Sequence, residues 1–264
     1  ITKLFMAGVF PGLVLAGLFM TYIVFWHFFG TGDRPQKEPS MSFSKMIKES
    51  LFLVPVMGLV GVVIGSMYLG FATATEAAAV GVVGALILSA AQGSLNWSTF
   101  SVSLMGATKT SAMIALILMG AAFLSLSMGF TGLPRAMAEL IESYNLSPVA
   151  LIAVLTVFYL ILGMFMDGLS SVVLTMAIVE PMIRTAGIDL IWFGIFLVVV
   201  IETAQVTPPI GFNLFVLQGM TKHEIGYIAK TAIPMVALML LMVVILVIFP
   251  ELATWLPENI RQRN

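Results

Sequence analysis

Two short polar stretches interrupt apolar sequence in the second half of the chain, and they constrain the fold more than any other feature. The first is residues 163–171, GMFMDGLSS, and the second is residues 202–213, ETAQVTPPIGFN. The apolar runs that flank them cover residues 149–162, 172–178, 191–201 and 212–217. Each run is shorter than the roughly 20 apolar residues that a straight transmembrane helix needs. The pattern therefore predicts a re-entrant helical hairpin at the first stretch and a broken helix at the second.

The composition predicts that these elements lie in a membrane. Of the 264 residues, 60% are hydrophobic and only 9% are charged, whereas soluble domains carry about 25% charged residues. The net charge of −1 provides no basic surface for nucleic acid. The chain contains no cysteine, which excludes disulfides and thiol chemistry. We therefore expect an all-α integral membrane protein with several membrane-spanning helices and a lipid bilayer around it.

Broken helices inside a membrane indicate a binding function. Lipid cannot satisfy free backbone groups, so non-helical backbone at membrane depth occurs only inside protein or beside a water-filled cavity. In secondary transporters, the exposed carbonyls and half-helix ends at such breaks bind ions and anionic substrates. The two stretches therefore predict the ion- and substrate-handling part of a secondary transporter.

The first stretch carries hard oxygen ligands. Asp167 is the only charged residue between Glu142 and Glu180, and a charge at mid-membrane costs about 2.5–3.5 kcal/mol on insertion scales, which marks it as a functional candidate. The candidate binding residues are Gly163, Asp167, Gly168, Ser170 and Ser171. Their carboxylate, hydroxyl and carbonyl oxygens suit a hard cation such as Na⁺. The alternative is an ordinary loop between two short helices outside the membrane.

The second stretch combines two prolines with several polar side chains. A proline kink alone is the simpler alternative, but it does not require so many polar groups in apolar sequence. The candidate binding residues are Thr203, Gln205, Thr207, Pro208, Pro209, Gly211 and Asn213. Thr203 and Thr207 lie four positions apart and would share one helix face. Glu202 is a less certain candidate, since it could pair with a basic residue elsewhere.

The remaining sequence predicts the following organisation. Residues 1–146 form mainly scaffold helices with an amphipathic arm at 43–54, residues 147–220 form a transport domain, and residues 221–264 form the last transmembrane helix and a tail. Spanning helices are expected at 6–29 and 232–249, a long helix at 104–128 and a short surface helix at 131–144. Residues 51–69 are apolar and rich in glycine, which lets helices approach closely, and the topology of 51–91 stays open. Thr73 and Glu76 have capping-box spacing at the start of a helix to residue 91. Lys and Arg in the loop 30–49 predict that this loop is cytoplasmic.

Four segments together resemble a known family. They are the two polar stretches, FATATEAAAVG at 71–81 and KLFMAGVFPGLVL at 3–15. They resemble the large membrane (M) subunit of tripartite ATP-independent periplasmic (TRAP) transporters. The likeness covers nearly the whole chain but only the second half of such a subunit. Because the chain begins with Ile1, we expect it to be the later part of a longer polypeptide.

The resemblance implies a mechanism and partners. The fold would be one of two inverted-topology repeats of an elevator-type transporter in the bacterial inner membrane. Uptake of an organic acid, such as sialic acid or a C4-dicarboxylate, would be driven by Na⁺ as the coupling ion, with no other cofactor. The Na⁺ ligands would be Gly163, Asp167, Ser170, Thr203 and Thr207. Partners would be a small membrane (Q) subunit, a periplasmic substrate-binding (P) protein and the N-terminal half of the same subunit.

Three other functions compete with this interpretation. A divalent-anion/sodium symporter-type carrier would need no binding protein. An intramembrane hydrolase would need a paired Asp or a His–Ser arrangement, and Asp167 has no second intramembrane Asp, so we expect no enzyme. A purely structural subunit would tolerate Asp167→Asn and Thr207→Ala.

Overall fold

The described part of the protein is built from helices. The computed structural model describes residues 2–29, 45, 50–132, 136, 139, 143, 146–208, 211–221 and 223–259. The described helices are α1 (Thr2–Ala7), α2 (Val9–Phe29), α3 (Val54–Tyr68), α4 (Ala74–Ala91), α5 (Trp97–Thr131), α6 (Pro148–Phe165), α7 (Gly168–Thr185), α8 (Leu190–Val206), α9 (Phe212–Thr221), α10 (Ile225–Ile248) and α11 (Glu251–Asn259). A 3₁₀ turn, Leu51–Leu53, precedes α3. Among these residues there is no strand, which confirms the all-α class.

Within the described residues, six helical spans are long and apolar enough to cross a membrane. They are Thr2–Phe29, Ala74–Ala91, Trp97–Thr131, Pro148–Phe165, Gly168–Thr185 and Ile225–Ile248. Val54–Tyr68 and Leu190–Val206 are apolar but shorter. The expected multi-pass architecture is therefore confirmed.

Two helices begin earlier than their apolar runs predict. Helix α5 begins at Trp97 rather than at 104 because Asn96 Oδ1 accepts the Thr99 N–H at 2.9 Å and caps the helix. Helix α10 begins at Ile225 rather than at 232, since the N–H of Ile228 already donates to the Glu224 carbonyl at 3.2 Å. Apolarity marks the part of a helix that faces lipid or protein, whereas the start of a helix is marked by a capping side chain in α5 and by backbone hydrogen bonds alone in α10.

The C-terminal tail contains a helix that the sequence analysis missed. Helix α11 carries Trp255, whose ring lies 5.8 Å from the ring of Phe10 in α2. Its Ala253 and Pro257 are buried. Most of the predicted loop 30–49, half of the arm 43–54 and most of the surface helix 131–144 lie outside the described residues.

The chain divides into two compact units. Among the described residues, one unit comprises those of 2–6 and 24–111, and the other comprises those of 7–23 and 112–259. In the first unit, α3 and α4 pack closely where Gly81 faces Val63: an added Cβ at Gly81 would lie 3.3 Å from Val63 Cγ2. The division of 1–146, 147–220 and 221–264 into scaffold and moving parts stays a prediction.

Helix α8 is the centre of the second unit. Most of its side chains are buried, as expected of a helix that is apolar on all sides. The first turns of α6 and α8 line one cleft, with Ile152 and Trp192 in its wall. The Trp192 indole N–H donates to the Leu246 carbonyl of α10 at 3.0 Å. Helix α8 therefore begins beside the start of α6 and beside the end of α10.

Candidate functional site

The first polar stretch forms the tip of a helical hairpin. Helix α6 ends at Phe165 and α7 begins at Gly168, so only Met166 and Asp167 connect them, both with extended backbone. The Asp167 carboxylate accepts the backbone N–H of Ser170 at 3.0 Å and also the Ser170 hydroxyl. Asp167 is therefore the N-cap of α7. The predicted hairpin is confirmed, and no long loop separates its arms.

The hairpin arms are longer than the apolar runs indicated. Each arm has 18 residues, which corresponds to about 27 Å of helix against a hydrocarbon core of about 30 Å. The half-length interpretation was wrong because α7 continues through polar residues. Arg184 pairs with Glu180 one turn earlier at 2.7 Å, and Pro181 lies inside the helix. The re-entrant path of the hairpin in the bilayer stays a prediction.

The second polar stretch contains a true helix break, as predicted, rather than a kink. Helix α8 continues through Glu202, Thr203 and Gln205 and ends at Val206. Thr207 leaves the helix with extended backbone, and its N–H donates to the Ala204 carbonyl at 3.1 Å. The break is therefore shorter than the predicted 202–213, with Pro208 inside it and Pro209 outside the described residues.

Gly211 brings the break back against the end of α8. Its N–H donates to the Thr207 carbonyl at 3.2 Å. A Cβ at this position would lie 2.5 Å from the Gln205 carbonyl oxygen and 2.9 Å from that of Thr207. Only glycine fits here, because both neighbouring atoms belong to the backbone and cannot move aside as the end of a flexible side chain could.

The structure places the two stretches side by side. A Cβ added at Gly163 of α6 would lie 2.6 Å from the Ala204 Cβ of α8. A Cβ added at Gly168 would lie 2.6 Å from Gln205 Nε2 and 2.9 Å from Ile201 Cγ2. The hairpin tip therefore packs directly on the last turn of α8.

Gln205 connects three elements at this junction. Its side chain is 9% exposed, and its amide lies against Gly168 at the start of α7. Its Oε1 accepts a hydrogen bond from Asn213 Nδ2 of α9 at 3.2 Å. One amide side chain thus contacts the hairpin and both halves of the broken helix.

The hydroxyl groups of the site donate to carbonyls of the preceding turn. Thr203 donates to Val199 and Thr207 donates to Thr203, both at 2.6 Å. Ser171 donates to the Asp167 carbonyl at 2.9 Å. A hydroxyl that donates its proton keeps oxygen lone pairs for a cation. Thr203 and Ser171 are fully buried, whereas Asp167 and Thr207 are partly exposed.

Helix ends give the junction two kinds of ligand. The last carbonyls of a helix lack intrahelical partners and carry partial negative charge. The ends of α6 and α8 meet where Gly163 packs on Ala204, so their carbonyls concentrate negative potential that suits a cation. Helices α7 and α9 begin beyond these ends. Asp167 already occupies the N-terminus of α7 as its N-cap, so the first N–H groups of α9 are those that suit an anion.

A contact between the hairpin arms was not predicted from the sequence. The Tyr159 hydroxyl of α6 lies 2.7 Å from Thr175 Oγ1 of α7. The available signal was a tyrosine and a threonine inside otherwise apolar runs. Glu202 was uncertain, and it is exposed beside Val198 on the outward side of α8.

Comparison with known proteins places the chain in a family. A family model described as "Tripartite ATP-independent periplasmic transporter, DctM component" matches residues 1–252. The chain is 34% identical over 266 residues to the C4-dicarboxylate TRAP transporter large permease protein DctM of Rhodobacter capsulatus, which covers 97% of this chain and 58% of that protein. It is 31% identical over 261 residues to the isethionate TRAP transporter permease protein DctMQ of Oleidesulfovibrio alaskensis, covering 96% of this chain and 40% of that protein.

A third relative extends the range of named substrates. The 2,3-diketo-L-gulonate TRAP transporter large permease protein YiaN of Escherichia coli is 27% identical over 253 residues, covering 96% of this chain and 59% of that protein. The chain thus spans between 40% and 59% of the length of these three relatives. The family match covers nearly all of the chain and includes both polar stretches, which confirms the resemblance. This multi-pass membrane chain belongs to the DctM component family of tripartite ATP-independent periplasmic transporters.

Proposed function

We propose that this chain binds the coupling ion and the substrate of a Na⁺-driven carrier that imports an organic acid across the bacterial inner membrane. The observation that carries the proposal is the packing of the hairpin tip on the end of α8, through Gly163 on Ala204 and Gly168 on Gln205. Because of this packing, an ion held at the junction touches both interrupted elements and couples them.

The proposed Na⁺ ligands are oxygens of the two breaks. Gly163 and Thr203 contribute carbonyls from the last turns of α6 and α8, and Asp167, Ser170 and Thr207 contribute carboxylate and hydroxyl oxygens. Hard oxygen donors suit a hard cation, and the partial negative charge of two adjacent helix C-termini adds to the attraction. The negative charge of Asp167 offsets the charge of the ion.

The proposed substrate is an organic anion. The names of the relatives specify a C4-dicarboxylate, isethionate and 2,3-diketo-L-gulonate, and sialic acid is a further candidate of the same charge type. The first N–H groups of α9 would receive the anionic group. Na⁺ would order the hairpin tip and the break, so the substrate would bind with a smaller entropic cost.

The proposed carrier has further protein components. A periplasmic binding protein would deliver the substrate, and a small membrane subunit would stiffen the scaffold. The hairpin and the broken helix would move together as the transport domain of an elevator, because their shared packing at Gly163 and Gly168 favours motion as one body. We assign no enzymatic reaction to the chain.

Uptake of radiolabelled acid into proteoliposomes tests the function. The complete transporter with its partners is reconstituted, and an inward Na⁺ gradient is compared with an inward K⁺ gradient. We expect uptake to require Na⁺. In Asp167→Asn and Thr207→Ala, uptake should fall about tenfold or more, and a tenfold change corresponds to a free-energy difference of ~1.4 kcal/mol. Thr21→Ala is the matched control, because Thr21 makes the same bond to a carbonyl four residues earlier but lies on α2.

Two results would contradict the proposal. Equal uptake with Na⁺ and K⁺ would show that Na⁺ is not the coupling ion. Wild-type uptake rates in both site variants would show that Asp167 and Thr207 do not belong to the binding site. Uptake that persists without a periplasmic binding protein would instead favour the divalent-anion/sodium symporter type of carrier.

A further inference from the structure

The two arms of the hairpin are joined by a buried hydroxyl contact. The Tyr159 hydroxyl of α6 lies 2.7 Å from Thr175 Oγ1 of α7, and Tyr159 is 0% exposed. A buried phenol needs a hydrogen-bond partner. Phenylalanine would fill nearly the same space without that requirement, so packing alone does not explain a tyrosine at this position.

The direction of the hydrogen bonds follows from the number of protons. Thr175 has one hydroxyl proton, and it donates this proton to the Ser171 carbonyl at 2.7 Å. Tyr159 must therefore donate to Thr175 Oγ1. One turn further, Ser171 donates to the Asp167 carbonyl at 2.9 Å. We call this series from Tyr159 through Thr175 and Ser171 to Asp167 the hydroxyl ladder.

The hydroxyl ladder connects the middle of α6 to the tip of the hairpin. Gly163, one turn after Tyr159, packs on Ala204 of α8. Helix α6 therefore contacts α7 through Tyr159 and α8 through Gly163 on consecutive turns. A slip of α7 along α6 would break the Tyr159–Thr175 bond and would move Asp167 and Ser170 relative to the end of α8.

We propose that Tyr159 and Thr175 are positioning residues that set the register of α7 against α6 and thereby hold the hairpin tip in the geometry that binds Na⁺. This inference rests on the proposed function, because it assigns Na⁺ binding to the tip. Neither residue touches the ion. Each acts through the hydroxyl ladder on the placement of Asp167 and Ser170.

The Na⁺ dependence of uptake distinguishes positioning from a purely structural role. In proteoliposomes with the complete transporter, we expect Tyr159→Phe and Thr175→Val to raise the half-saturating Na⁺ concentration about fivefold, the effect of one lost hydrogen bond. The maximal rate at saturating Na⁺ should change less than twofold. Thr175→Ser keeps the hydroxyl and should restore the wild-type Na⁺ dependence.

Thr156→Val is the matched control. Thr156 lies on α6 with Tyr159, and it is partly buried like Thr175. Its hydroxyl donates to the Ile152 carbonyl at 2.7 Å, but it does not belong to the hydroxyl ladder. Its Na⁺ dependence should equal that of the wild type. Unchanged half-saturating Na⁺ in Tyr159→Phe and Thr175→Val, with a Na⁺-dependent wild type, would overturn the positioning role.

A spin label keeps this inference separate from the proposed coupling. The chain has no cysteine, so Leu169→Cys, at a partly exposed tip position, introduces the only thiol of this chain. We expect the label to become more mobile in Tyr159→Phe than in the wild type or in Thr156→Val. Wild-type uptake that does not depend on Na⁺ would contradict the proposed coupling alone. Equal label mobility in the wild type, Tyr159→Phe and Thr156→Val would overturn the positioning role, whatever the Na⁺ dependence of uptake.

Discussion

At the scale of single residues, the site depends on glycines, which let the hairpin, the break and α8 pack closely. Glycine inside a helix costs about 1 kcal/mol relative to alanine, so Gly163 in α6 needs a compensating contact. The structure supplies it: Gly163 is buried, and Ala204 of α8 occupies the space that its Cβ would need. Close packing also explains Gly168 at the start of α7 and Gly211 in the break, since an added Cβ at either position would collide with Gln205.

The substitution Gly163→Ala should separate the hairpin from α8. We expect the free energy of unfolding to fall by about 1–3 kcal/mol, the usual cost of overpacking, and Na⁺-driven uptake to fall with it. The matched control is Gly226→Ala, because nothing lies within 4 Å of a Cβ added at Gly226.

A second substitution tests the cause. Ala204→Gly removes the Cβ that Gly163→Ala meets, so the double variant should recover most of the lost stability and uptake. Thermal unfolding of the purified protein and uptake in proteoliposomes measure both effects. A double variant no better than Gly163→Ala alone would show that the collision with Ala204 is not the cause.

At the scale of helices, capping side chains decide where elements begin. Ser147, Asp167 and Asp189 accept backbone N–H groups at the starts of α6, α7 and α8. At the start of α4, Glu76 Oε2 accepts the Thr73 N–H at 2.8 Å, and the Glu76 N–H donates to Thr73 Oγ1 at 3.4 Å. The predicted capping box is therefore confirmed, and its geometry explains Glu76 without a binding role.

Substitutions in the capping box should change stability and leave transport intact. Thr73→Ala removes the cap and should lower the melting temperature by about 3 °C, whereas Glu76→Gln can still accept the Thr73 N–H and should stay close to the wild type. Uptake per folded molecule should be unchanged in both. Loss of uptake in Glu76→Gln at wild-type stability would instead make Glu76 a functional carboxylate.

At the scale of the whole molecule, parallel packing of α6 and α8 brings the two interruptions together. The two helices start at one cleft and meet again where Gly163 faces Ala204. Helix α10 runs in the opposite direction against α8, as the bond from Trp192 to Leu246 shows. A ligand at the junction would therefore stabilise several elements of this unit at once.

Sodium should stabilise the folded protein against heat. A ligand that binds only the native state at 100 times its Kd adds about 2.7 kcal/mol, so we expect a melting temperature about 5 °C higher in NaCl than in KCl of equal ionic strength. Asp167→Asn should lose this difference, because its side chain lacks the charge that offsets Na⁺. Equal melting temperatures in the two salts would argue against a Na⁺ site in this protein.

The sequence predicted elements better than their bounds. Polar and glycine-rich interruptions located the hairpin turn and the helix break, because unsatisfied backbone is too costly in lipid to occur by accident. The arm lengths were underestimated, since charged residues such as Glu180 and Arg184 continue a helix when they pair along it. Helix α11 was missed because it is short and only partly apolar.

The sequence by itself determined the helical class, the membrane environment, the positions of the two interruptions and the capping box at Thr73. These are local properties, set by hydropathy, by Gly and Pro and by side chains within four residues of one another. Only the tertiary structure decided that Gly163 meets Ala204, that Gln205 contacts both the hairpin and α9, and that Tyr159 reaches Thr175. These contacts join residues on different helices, and close packing of whole helices, rather than local sequence, selects which of them form.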